Sequence, residues 1–167
     1  MALADYHIIQ KIQVSSKSLR GIDIWNELLA LGTGEGQVRI LDMNTGKMVS
    51  EFTEQIQTVF AVKFSSDGNY IYSGGRDALL VSYDRMEQKL ISKIPAHTLH
   101  IHSIELSPDE KLLATSSMDK SIKIWDAKNG TLLHTLNGHN NSVKCVAFSP
   151  DNLQIVSGSS DHSIKIW

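Results

Sequence analysis

The residues of this chain that could carry reactive chemistry are seven histidines, a single cysteine and a series of aspartates. His139, Ser157 and Asp161 supply the side-chain types of a hydrolytic triad, in which an aspartate orients a histidine that takes a proton from a serine hydroxyl. The same kinds of residue occur earlier as His97, Thr115 and Asp119, and a tryptophan follows each set, Trp125 and Trp167. A catalytic constellation is built once; a set that recurs with the same fourth member reads as structural, and no catalytic residue is assigned. His97, His100 and His102 suggest a metal, and His100 and His102 would share a strand face. No cysteine or carboxylate stands near them at ligand spacing, so no metal site is assigned. Gly32-Thr33-Gly34-Glu35-Gly36 resembles a phosphate cradle, but no helix pattern follows it, which makes a strand-to-strand turn the better reading. Cys145, in Val143–Val146, reads as a small packed side chain with nothing near it in sequence to activate the thiol. No cofactor is expected.

These residues are placed by a repeat. Ser121-Ile122-Lys123-Ile124-Trp125 returns word for word as Ser163-Ile164-Lys165-Ile166-Trp167, a step of 42 residues. The same step joins His97 to His139, runs through Asp77, Asp119 and Asp161, and runs through Asp67, Asp109 and Asp151. Each unit reads as short strands separated by turn clusters. In the last unit the strands are Ser142 to Ser149, Gln154 to Ser157 and Ser163 to Trp167, the last alternating polar and apolar residues. A further strand appears in earlier units as Lys47 to Phe52, Lys89 to Ile94 and Thr131 to Leu136. Asn44-Thr45-Gly46 and Asn129-Gly130 supply hairpin turns, since Asn and Gly tolerate positive φ. No helical pattern of useful length is present.

Composition narrows the partners. Hydrophobic residues make up 41% and charged residues 20%, the range of a folded globular chain and well away from disorder. A net charge of −2 gives no field for nucleic acid or a membrane surface. One cysteine excludes an internal disulfide and suits a reducing compartment. No apolar run reaches the length of a membrane span, and Met1 to His7 lacks the basic start and apolar stretch of a signal peptide. The expectation is a cytoplasmic protein.

Gly138-His139, Ser149-Pro150-Asp151, Asp161 and Trp167 resemble the landmarks of the WD-repeat β-propeller family, as do Ala96-His97, Ser107-Pro108-Asp109, Asp119 and Trp125-Asp126. The step of 42 lies in that family's range of about 40–45. The resemblance implies an all-β propeller with four four-stranded antiparallel blades in this chain, near 13–52, 53–94, 95–136 and 137–167. The last would be completed by an outer strand at 7–12. It also implies hydrogen-bonded tetrads, His97, Thr115, Asp119 and Trp125 in one blade and His139, Ser157, Asp161 and Trp167 in the next. His97 would then be unavailable to a metal. The second unit departs from the pattern with Gln55 and Tyr83 beside Ser73 and Asp77. The first has Gln13, Glu35 and Leu41, so its blade must rely on packing.

The function implied is a protein–protein interaction scaffold, not an enzyme. Its partner-binding face would hold Ile56, Thr58 and Arg76 in the second blade, Thr98, His100 and Met118 in the third, and Asn140, Ser142 and Ser160 in the fourth. Arg76 and Met118 are of the types enriched at interfaces. A four-fold ring needs a rotation of about 90° per blade, against about 45° for eight. The expectation is therefore a homodimer forming an eight-bladed ring, with His7 to Ile12 completing the partner's last blade. The alternatives are a fragment or engineered half of a larger propeller, a closed monomeric four-bladed ring, and, as a different function class, a propeller enzyme with its site at the channel mouth.

Overall fold

Each complete blade turns three times between its four strands, and each turn between strands of one sheet contains a residue with positive φ. Asn26, Gly68, Glu110 and Asn152 form one series at the 42-residue step, Gly36, Ala78, Lys120 and His162 a second, and Gly46, Gln88 and Gly130 a third. A side chain in the left-handed region costs about 1–2 kcal/mol, so the non-glycine members need local hydrogen bonds to hold them. In the second series the amides of Ala78, Lys120 and His162 donate to the carbonyls of Gly75, Ser117 and Ser159 at 3.2, 3.3 and 3.2 Å.

The computed structural model describes residues 11–167. Between the turns run β1 (Leu19–Trp25), β2 (Leu28–Thr33), β3 (Val38–Asp42), β4 (Met48–Phe52), β5 (Val59–Phe64), β6 (Tyr70–Gly75), β7 (Leu79–Asp84) and β8 (Lys89–Pro95). They continue as β9 (Ile101–Leu106), β10 (Leu112–Ser117), β11 (Ser121–Asp126), β12 (Leu132–Asn137), β13 (Val143–Phe148), β14 (Ile155–Ser159) and β15 (Ile164–Ile166). All pairings are antiparallel between consecutive strands, giving sheets β1-β2-β3-β4, β5-β6-β7-β8, β9-β10-β11-β12 and β13-β14-β15. The first strands of successive sheets pack on one another, β1 on β5, β5 on β9 and β9 on β13. The chain is thus all-β, an array of propeller blades.

The core lies between the sheets. One cluster joins the first two blades through Ile40, Phe52, Phe64, Ile71 and Tyr83, a second joins the middle pair, and a third the last pair. Each sheet needs a neighbour on both faces, and the two end sheets lack one among the described residues. Ile22 on β1 is 66% exposed, and Ile164 and Ile166 on β15 are 74% and 66% exposed.

The fourth blade shows three strands among the described residues. Of the strand expected to complete it, His7 to Gln10 lie outside the described residues, and Lys11 and Ile12 are exposed and belong to no strand. Cys145 is exposed instead of packed, because β13 belongs to an end blade whose outer face is uncovered.

Candidate functional site

The turn between the second and third strands of a blade sets the site. In the third blade Asp119 sits in that turn and accepts from the Ser121 hydroxyl and amide through Oδ1, at 2.6 and 3.0 Å. Its Oδ2 meets His97 Nδ1 at 2.9 Å and accepts from the Thr98 amide at 3.2 Å. The carboxylate therefore joins the turn to the loop that enters the blade. His97 Nε2 lies 2.8 Å from Thr115 Oγ1, and Trp125 Nε1 donates to that same oxygen at 2.9 Å. Thr115 and Trp125 are neighbours across the β10–β11 ladder, which pairs Thr115 with Lys123 and Leu113 with Trp125.

The fourth blade repeats this geometry. His139 Nδ1 to Asp161 Oδ2 is 2.8 Å, His139 Nε2 to Ser157 Oγ is 2.8 Å, and Trp167 Nε1 donates to Ser157 Oγ at 2.9 Å. Asp161 accepts from the Ser163 hydroxyl at 2.6 Å and the Asn140 amide at 2.9 Å.

Burial works against the charge of Asp119, but the Ser121 hydroxyl and His97 outweigh it and hold its carboxyl down at about 2. Asp161 is held well below the usual carboxylate range, first by the Ser163 hydroxyl. Burial pushes His97 below the ordinary imidazole value although Asp119 pulls the other way. With a charged Asp119 on Nδ1, neutral His97 carries its proton there, and Nε2 accepts from the Thr115 hydroxyl.

That connectivity is the one a hydrolytic triad uses, so its chemistry has to be decided by access. Thr115 is fully buried and Ser157 is 1% exposed. Each oxygen gives its proton to histidine and accepts from an indole. A nucleophile must present a lone pair to substrate in a cleft; these oxygens have their bonds filled within the blade. The sets tie a loop, a strand and a turn together, and what they position lies on the blade edge.

On that edge the three blades agree. The amides of Arg76, Met118 and Ser160 donate to the carbonyls of Thr58, His100 and Ser142, each at 2.9 Å. The amides of Ile56, Thr98 and Asn140 donate to Asp77, Asp119 and Asp161. The nine residues considered for a partner face thus sit in one row of fixed loops. Ile56, Arg76, Thr98, Met118 and Asn140 are exposed, and Thr58, His100 and Ser160 are half-buried. Ser142 is the exception and a correction: it is buried directly before β13, where the chain turns into the blade interface. Leu99, which the sequence reading did not single out, is exposed in the same loop as Thr98. His100 and His102 both lie against Phe60, with ring centroids 5.8 and 5.9 Å from it, and His102 is 3.1 Å from Lys144 Nζ, whereas His97 is held by Asp119 and Thr115. The Phe60, Lys144 and His102 row repeats at the same step of 42 residues along the inner strands.

The first two blades are built differently. Gln55 Nε2 donates to the Leu79 carbonyl at 3.3 Å, and Ser73 Oγ stands 3.5 Å from Tyr83 OH, the long limit of a hydrogen bond. Tyr83 is instead held by packing, its ring 4.5 Å from Phe52. In the first blade Glu35 accepts from the Ser15 and Ser16 hydroxyls at 2.6 and 2.7 Å and from the Lys17 amide at 3.0 Å. These hydroxyls, Ser15 before all, hold its carboxyl down at about 2. The acidic side chain with two serines upstream was the available signal for this substitute cap. Of the Gly32–Gly36 segment, Gly32 and Thr33 end β2 and the rest lies in the turn to β3, with Gly36 at φ +93.

A family model described as "WD domain, G-beta repeat" matches residues 46–84, 88–126 and 130–167. Each matched span begins at or just before the last strand of one sheet and ends with the third strand of the next. The first blade before β4, where no such tetrad occurs, lies outside the matches. No curated protein matches the chain at a significant level.

Proposed function

Because the chain belongs to the WD-repeat β-propeller family, we propose that it is a non-catalytic scaffold that holds protein or peptide partners on the face carrying the fixed loops. The observation that carries this reading is the row of large apolar side chains left open there. Ile56, Leu99 and Met118 are 74%, 44% and 43% exposed on loops whose backbones are pinned from below. Rigid presentation lowers the ordering cost of association, and exposed apolar groups rimmed by polar ones mark interaction sites. Arg76 stands beside them as a charged anchor. The buried state of Thr115 and Ser157 supports a structural use of the histidine–aspartate sets over an enzymatic one. The low net charge favours protein over nucleic acid or a membrane surface as the partner, and the proposed compartment is the cytoplasm.

The finer part of the proposal concerns the open end sheets. Ile22 and Ile24 at one end and Val156, Ile164 and Ile166 at the other are covered by a second copy of the chain, giving eight blades around a two-fold axis. A single contact set used twice would bury both ends. Light scattering should give twice the 18.5 kDa chain mass; a sharp monomer mass at micromolar concentration contradicts this part.

The docking face is tested with Ile56→Glu, Leu99→Glu and Met118→Glu, compared with the unaltered protein by cross-linking and mass spectrometry. A partner held by the unaltered protein should be lost by the variants while the melting temperature stays within a few degrees. Retention of every partner by all three contradicts the proposed face.

A further inference from the structure

On the opposite side of the blades from the docking face, a cavity of 610 Å³ opens between the second and third blades. Its walls include Leu80, Ile94, Leu113 and Trp125, and its rim is made by the turns that follow β5, β7, β9 and β11. The volume is that of a ligand site and not of a packing defect.

Comparison across the repeat explains why it is there. Ser82 lines the cavity, and the residues 42 positions before and after it are Ile40 and Ile124, both buried in blade interfaces. Ile94 likewise stands where the first blade has Phe52, which fills its junction against Tyr83. The Ser82 hydroxyl is satisfied by Ser92 at 2.7 Å, so the smaller side chain leaves no unpaired group. At the junction of blades one and two, Trp25 further closes the surface, its ring over Gly68 and its Nε1 donating to the Ser66 carbonyl at 2.8 Å. The cavity between blades two and three therefore lies where Ser82 and Ile94 stand in place of the larger Ile40 and Phe52 of the filled first junction.

The rim decides what fits. Asp67, Asp84, Glu110 and Asp126 line the cavity against a single cation, Lys128. Among the described residues, Asp84 accepts the Glu87 amide, and Asp126 the Lys128 and Asn129 amides, through Oδ1 alone. Oδ2 of each remains for a donor. The cavity also borders β8, the terminal strand of its sheet, whose outer edge offers main-chain groups to an added extended segment.

We propose that this cavity binds a basic, apolar peptide segment of a partner protein, with an aliphatic side chain inserted beside Ser82 and flanking lysine or arginine groups on Asp84, Glu110 and Asp126. The site is separate from the docking face and does not depend on it.

The test uses the full chain and the peptide Ac-Arg-Leu-Leu-Arg-NH2, followed by amide NMR. Saturable shifts are expected at Leu80, Ser82, Ala127 and Gly130, weakening as salt is raised. Ac-Glu-Leu-Leu-Glu-NH2 and Ac-Arg-Gly-Gly-Arg-NH2 should bind at least tenfold more weakly. Ser82→Ile, which restores the residue of the neighbouring units, should abolish the shifts without lowering the melting temperature. Asp126→Asn, which keeps the Oδ1 acceptor, should weaken binding severalfold. Ile56→Glu on the other face should leave it unchanged, so that loss of the docking-face reading and loss of this one are told apart. Absence of saturable shifts, equal binding of the acidic peptide, or binding indifferent to both Ser82→Ile and Asp126→Asn would overturn the proposal.

Discussion

The second and third blades share strand order, turn conformation and sheet register, yet they secure the same corner by different physics. In the third, Thr115 Oγ1 is a hub that joins His97 and Trp125, and Asp119 carries the connection from the His97 ring to the Thr98 loop amide. In the second, the hub hydroxyl of Ser73 has only a 3.5 Å contact with Tyr83, and the corner is held by the Tyr83–Phe52 packing. A buried polar network is worth having only when every member is satisfied. Once a glutamine stands at position 55, an indole has less reason to be kept at position 83, and a ring packed on a neighbouring blade does the work. The lesson is that the turn aspartate and the tetrad are separable: Asp77 still accepts the Ile56 and Leu79 amides at 3.2 Å without any tetrad above it.

The largest expected effect comes from removing the hub. Thr115→Val keeps the shape and leaves both the Trp125 N–H and His97 Nε2 without a partner, at about 1–3 kcal/mol for each orphaned group. Ser73→Ala in the second blade should cost under about 1 kcal/mol, because the bond it removes is at the limit of reach. Chemical denaturation of the two variants measures the contrast, and equal losses would break it. Next in size, Trp125→Phe should lower stability by about 1–3 kcal/mol through the lost donor, whereas Tyr83→Phe should be smaller, since Phe52 packs on the ring and not on its hydroxyl.

The smallest effect is a pH dependence to which the tetrad of the third blade contributes through His97 and Asp119. His97 is depressed in the folded chain, chiefly by burial, so folding favours its neutral form. Acidification below the ordinary imidazole value protonates the unfolded chain first and erodes stability. Asp119, held at about 2, adds a second loss as pH falls from its ordinary value of 3.8. The melting temperature should therefore decline gently below about pH 6.5 and more steeply below about pH 4. His97→Gln, which copies the second blade, should reduce the first decline and leave the part due to His102, which burial holds down at about 4.

Much of the architecture was legible because a step of 42 residues imposes the same chemistry at the same place. The strand ends differ from the sequence reading by a residue or two, as at Gln154, where β14 begins at Ile155. What stayed hidden depends on neighbours in space. Ser142 and Cys145 are three residues apart in one strand region, yet one is buried and the other exposed, because an end blade covers only one of its faces. Trp25 gave no signal as a latch, since its partner, the turn at Ser66 and Gly68, lies some 40 residues away. The Ser82 cavity was readable in principle, as a serine between two isoleucines at equivalent positions, but its meaning appears only once those isoleucines are seen to fill a junction.

The central claim is that the threonine and serine hubs are permanently occupied inside their blades and so serve structure. The chain has three tryptophans, and their indole N–H groups report on this in one 1H–15N spectrum under solvent exchange. Trp125 donates to a fully buried hydroxyl and Trp167 to one 1% exposed, while Trp25 donates to an exposed backbone carbonyl. The account predicts that the Trp125 and Trp167 signals persist under conditions where the Trp25 signal exchanges away, and that Thr115→Val abolishes the protection of Trp125 alone. A Trp125 signal that exchanges as fast as that of Trp25 would mean an open hub, and would contradict the account.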